Sequence, residues 1–131
     1  GLIEHKLTNI SGISNYLKGG VVVYSNESKK NILNVPEEIL QDKGAVSEET
    51  ANSMASQVRQ IFNADIGISI TGIAGPTGGS AEKPIGTVYS AISTEKENNV
   101  FKDNIMGDRL TIKEKSANKL LYRLVKILDT M

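Results

Sequence analysis

The stretch T-G-I-A-G-P-T-G-G-S-A-E-K-P-I-G-T-V, Thr71 to Val88, constrains this chain more than any other. Five glycines and two prolines separate two apolar runs that read as strands. Gly72, Gly75, Gly78 and Gly79 allow positive φ and close approach of the backbone to a ligand, whereas Pro76 and Pro84 fix φ and remove N–H donors. A shaped connection of this length inside a small domain is normally a binding loop. The common phosphate cradles do not fit it. A P-loop needs Gly-Lys-Ser/Thr leading into a helix, but Gly79 is followed by Ser80 and Ala81, and Lys83 leads into Pro84 and a strand. A dinucleotide turn needs G-x-G-x-x-G before a helix, and the spacing here is G-x-x-G-x-x-G-G before a β-branched run. Glycine spacing alone leaves open a tight connection that merely needs its glycines.

With 131 residues, 39% of them hydrophobic, and no linker or shift in composition, the chain reads as a single domain over residues 1–131. Fifteen basic residues balance fifteen acidic ones without a Lys/Arg run, so neither nucleic acid nor a membrane is an expected partner. There is no cysteine for a disulfide or thiolate site, and the lone histidine, His5, is expected on a helix surface and leaves no zinc ligand set. No apolar stretch approaches a membrane span or signal-peptide core, and the expected location is cytoplasmic.

Helix and strand signals alternate. Val21–Ser25, bounded by Gly19-Gly20, reads as a buried strand, and Ala64–Ile70, Ile85–Ser93 and Val100–Met106 as three more. Leu2, Ile3 and Leu7 begin a helix. Asn26 reads as the N-cap of a helix to about Leu33, Pro36 opens a short one, and Ser47 caps a helix ending near Asn63. A last helix runs from about Leu110 to Leu128, with Thr111 and Glu114 as a capping box. The expected fold is α/β: a three-layer α/β/α sandwich with a mixed sheet of about four strands and helices on both faces.

The order of residues in the Thr71–Val88 loop resembles the signature of the CinA C-terminal domain family. Leu7-Thr8-Asn9 with Ser11-Gly12, Gly19 through Lys29, Gly44 through Glu49, and Gly107-Asp108-Arg109 resemble further blocks of that family in family order, over nearly the whole chain. The resemblance implies a nicotinamide-nucleotide amidohydrolase that converts nicotinamide mononucleotide to nicotinate mononucleotide and ammonia, in pyridine-nucleotide salvage, with no metal or other cofactor. The family's nucleophile is a serine in an E-S-x-T-G-G motif, and Gly1 corresponds to its last glycine. The resemblance therefore implies that this serine and the strand before it lie outside the chain, which alone is expected to be catalytically incomplete. A small-molecule nucleotide is the expected partner and a homo-oligomer, a dimer first, the expected assembly. The alternative is a non-catalytic nucleotide-binding or regulatory module on the same fold.

Amide hydrolysis through a serine needs a base, an oxyanion site and an acid for the departing ammonia. Lys29 is the candidate base, because the first turn of a helix and partial burial both disfavour ammonium. Spacing alone favours a solvated lysine like Lys30, and the family motif reverses that preference. Tyr24 is a candidate proton relay or an ordinary strand tyrosine. The amides of Gly72, Ile73, Ala74 and Gly75 are candidate oxyanion or substrate donors, with Thr71 and Thr77 adding hydroxyls. Gly78, Gly79, Ser80 and Arg109 are candidates for the substrate phosphate. Arg109, beside Asp108, suits a structural ion pair or cap equally well. Ser25, Asn26 and Ser11 suit either ribose contacts or caps and turns.

Overall fold

Thr87–Thr94 carries small or apolar residues at nearly every position, the pattern of a strand covered on both faces. In a computed structural model describing residues 1–131, it is the middle strand of a three-stranded antiparallel sheet ordered β1 (Ile66–Gly72), β2 (Thr87–Thr94), β3 (Asn98–Asn104). The register pairs Ile68 with Ile92 and Ser69 with Ala91, and then Ser90 with Phe101 and Ala91 with Val100. Because side chains alternate, this register sorts the sheet into two apolar faces.

One face carries Ile66, Ile68, Ile70, Ile92 and Phe101. It packs against Ile3 of α1 (Leu2–Thr8) and against Ala117, Leu120 and Leu124 of α5 (Arg109–Asp129). The other carries Tyr89, Ala91 and Val100 and meets Ala51 and Ala55 of α4 (Glu48–Ile61). The alanines, and Gly67 where any Cβ would overlap the Ala55 carbonyl, let α4 lie close to the sheet. Ser69 Oγ then reaches the Ala51 carbonyl at 2.6 Å. Beyond α4, a separate cluster of Val23, Leu33, Val35, Leu40 and Met54 docks α2 (Asn26–Leu33) and α3 (Glu37–Asp42). Burying a side chain such as Ile92 or Leu120 contributes about 2–3 kcal/mol.

The three α/β/α layers are present, with helices on both faces, but the sheet has three strands and is wholly antiparallel, not mixed with four. The missing member is Val21–Ser25. Its Val23 is buried and Val21 and Val22 are exposed, and the run joins no strand of the sheet. Strand β2 starts at Thr87, later than Ile85, because Gly86 at φ 94° turns the chain and gives its N–H to the Ile73 carbonyl. Caps also differ. Ser25, in place of Asn26, caps α2, exchanging hydrogen bonds with Ser28 in a capping box. Asp108 caps α5 through the Thr111 N–H at 2.8 Å, and Glu114 pairs with Lys6 of α1.

Candidate functional site

The chain gathers its candidate residues at the C-terminal end of β1, where α2 and α5 also begin. Lys29, in α2, is only 6% exposed, and its Nζ donates to the Val23 carbonyl at 3.0 Å. Burial holds its pKa below the ordinary lysine value of 10.5. No carboxylate offsets that effect. The residue after Val23, Tyr24, is 83% exposed, and its hydroxyl accepts a hydrogen bond from Arg109 Nη2 at 3.1 Å. The other arm of the same guanidinium donates to the Gly75 carbonyl at 2.8 Å. Arg109 thus pairs with no acid and clips the glycine-rich loop to the segment leading into α2. Its neighbour Asp108 is occupied as the α5 cap, and its hydrogen bonds from Thr111 hold that carboxyl below the usual carboxylate range.

The loop itself is held at two further points. Thr71 Oγ1 donates to the Ala45 carbonyl at 2.8 Å, and Lys83 Nζ donates to the Lys43 carbonyl at 2.6 Å. That carbonyl stands at the C-terminal end of α3, the end that attracts a cation. The internal turn is closed by Ser80 N–H to the Lys83 carbonyl and by Ile73 N–H to the Thr87 carbonyl. Ile73 and Ser80 therefore have their amides committed. The amides of Ala74, Gly75, Thr77, Gly78 and Gly79 donate to nothing in the chain. Five donors on one turn thus remain without an acceptor in the chain.

Arg109 brings Tyr24 and Gly75 together, and Val23 links them to Lys29. Gly72 ends β1. Ser25 is used as a cap, and Asn26 lines a polar groove between α2 and α3 with Glu27, Lys30 and Glu37. His5 lies exposed on α1. No group of three or more His, Asp or Glu side chains is placed to hold a metal ion, and no helix is long and apolar enough to cross a membrane. Sequence reasoning passed over Lys83. Its only signal is a lysine before a proline in a loop of glycines, and its acceptor lies forty residues away on a different element.

The sequence profile of the CinA C-terminal domain matches residues 1–128. A competence-damage inducible protein of Moorella thermoacetica is 51% identical over 124 residues, covering 95% of this chain and 30% of its own length. A CinA-like protein of Syntrophotalea carbinolica is 44% identical over 131 residues, 100% of this chain and 32% of its own length. The chain thus spans about a third of the length of these curated relatives. Among solved structures, the competence/damage inducible protein CihA of Agrobacterium tumefaciens superposes with a TM-score of 0.93 at 36% identity, covering 96% of this chain and 78% of that one.

Proposed function

The chain belongs to the CinA C-terminal domain family, and on that premise we propose that it is the base-and-cradle part of an amidohydrolase acting on the carboxamide of nicotinamide mononucleotide. The observation that carries the reading is the buried amino group of Lys29, paired only with a carbonyl. A serine mechanism needs a base that is neutral near the working pH, and desolvation moves a lysine that way. The nucleophilic serine belongs to residues upstream of Gly1. Gly1 lies near Val22, beside the segment whose next carbonyl holds Lys29, so a serine entering there comes close to the base.

The remaining residues take the other roles. The unpaired amides of Ala74, Gly75, Thr77, Gly78 and Gly79 bind the developing oxyanion and the substrate phosphate. Arg109 adds a positive charge at the start of α5, and the α2 and α5 N-termini favour an anion at the same end of the sheet. Tyr24, exposed and hydrogen-bonded to Arg109, is the proton donor to the departing ammonia.

Ammonia release from nicotinamide mononucleotide by the protein carrying its upstream segment tests the reading. Lys29→Ala is expected to lower kcat by about 10²-fold or more, the usual scale of a lost general base. An intact protein that releases no ammonia yet is thermally stabilised by the mononucleotide would point to a binding module.

A further inference from the structure

The ties on the glycine-rich loop fall at Thr71, at the Gly75 carbonyl and at Lys83. None falls between Gly75 and Ser80. Residues 76–79 make no hydrogen bond to other backbone, although they carry the unpaired amides of Thr77, Gly78 and Gly79. The shape of that turn, and with it the direction of those amides, therefore rests on packing.

The side chain it packs on is Ile85. A Cβ on Gly75, whose φ is 74°, would stand 2.7 Å from Ile85 Cγ2. One on Gly79 would stand 2.9 Å from Ile85 Cγ1 and 2.8 Å from the Ile85 backbone nitrogen. Both ends of the turn thus close on the two γ carbons of one residue. Ile73 stands further off, since a Cβ on Gly78 would meet its Cγ2 at 3.8 Å. The backbone on either side of Ile85 is held. The Pro84 carbonyl accepts from the Thr87 N–H at 3.0 Å and from Thr87 Oγ1 at 2.7 Å. Gly86 donates its N–H to the Ile73 carbonyl at 2.8 Å, and its carbonyl accepts from the Ile105 N–H at 2.9 Å. A β-branched side chain on so fixed a backbone has few rotamers open to it. Yet Ile85 is 42% exposed while Val88 and Ile105 nearby are buried, so the core does not account for its place.

We infer that Ile85 is a positioning residue for the site: the branch at its Cβ is the post on which residues 75–79 close, and it sets the directions of the Thr77, Gly78 and Gly79 amides. The substrate that these amides hold is that of the proposed function, on which the role rests. Branching matters here more than bulk. Valine keeps both γ carbons and loses only Cδ1, whereas leucine matches isoleucine in volume but has a single γ carbon, which cannot meet Gly75 and Gly79 together. A volume-conserving swap of this kind costs a folded protein little. Misplacing a binding group by about 1 Å can cost about 100-fold in rate.

Ile85→Leu and Ile85→Val, made in the protein carrying its upstream segment and assayed for ammonia release from nicotinamide mononucleotide, test the role. Ile85→Leu is expected to lower kcat/KM by about tenfold or more and Ile85→Val by less than about twofold, with both proteins melting within about 3 °C of the wild type. In amide NMR spectra the Thr77, Gly78 and Gly79 resonances are expected to move in the Ile85→Leu protein and to stay in place in the Ile85→Val protein, with the β1–β2 amides unmoved in both. Unmoved turn resonances in Ile85→Leu overturn the inference. So do moved resonances with an unchanged kcat/KM, because the site would then not depend on the turn. An Ile85→Val protein that loses as much as Ile85→Leu overturns it by making bulk the determinant, and a melting temperature lowered by ~10 °C or more in Ile85→Leu does so by making Ile85 a core residue. A wild type that releases no ammonia sinks the proposed reaction instead, and the amide resonances of the two variants then decide the positioning role by themselves.

Discussion

An ammonium group buried against a single carbonyl is costly to keep charged, and that cost falls on Lys29. Its folded pKa lies below the 10.5 of an exposed lysine. Between those two values the unfolded chain binds more protons than the folded one, so this position favours folding more as the pH rises toward 10.5 and least below the folded pKa. Subtracting the stability of Lys29→Met from that of the wild type should give a difference that moves toward the wild type with rising pH. A flat difference across that range would show an unperturbed lysine. The capping residues separate in the same way. Ser25→Ala should destabilise the chain by about 1 kcal/mol in a denaturant titration, and Asn26→Ala by much less, because only Ser25 accepts from the helix backbone. Neither role was legible from spacing. Lys29 and Lys30 are adjacent lysines, and only the packing of Val23, Leu33 and Val35 around one side of α2 sets them apart.

Among the elements, the glycine-rich loop was the most legible in its ends and the least legible in its placement. Its glycines and prolines announce a shaped turn, but its position comes from Thr71, Lys83 and Arg109, whose partners are carbonyls far away in sequence. Lys83→Ala should speed amide exchange at residues 80 and 83, the hydrogen-bonded amides of the turn, by about tenfold or more while the β1–β2 ladder is unchanged, since only the local opening free energy falls. Lys83→Arg, which keeps a cation at the end of α3, should restore most of the protection. The Val21–Ser25 run shows a different limit. β-branched residues state that a segment can be a strand, but a ladder also needs a neighbour, and periodicity carries no information about which neighbour is present.

For the whole molecule, the alternation of helix and strand signals was enough to foresee three layers, because an amphipathic helix must bury its stripe on something. Strand direction was not legible. The connection between β1 and β2 has the length of either a hairpin or a crossover, and only the register settles it as antiparallel. The principal core joins α1 and α5 to the sheet at Ile3, Ile92, Ala117 and Leu120. Leu120→Ala should therefore cost about 3 kcal/mol, and a calorimetric Tm should fall by about 10 °C. A loss well under that would show that α5 collapses into the cavity.

The three fixings of the glycine-rich loop come from separate parts of the molecule: the turn before α4, the end of α3 and the start of α5. A loop tied on three sides has already lost its conformational freedom when the chain folds, so a ligand has little ordering left to impose. Association should then be a single kinetic event. In stopped-flow mixing with the proposed substrate, nicotinamide mononucleotide, the observed rate should rise linearly with concentration, and a plateau would reveal a closing step that this tethering rules out.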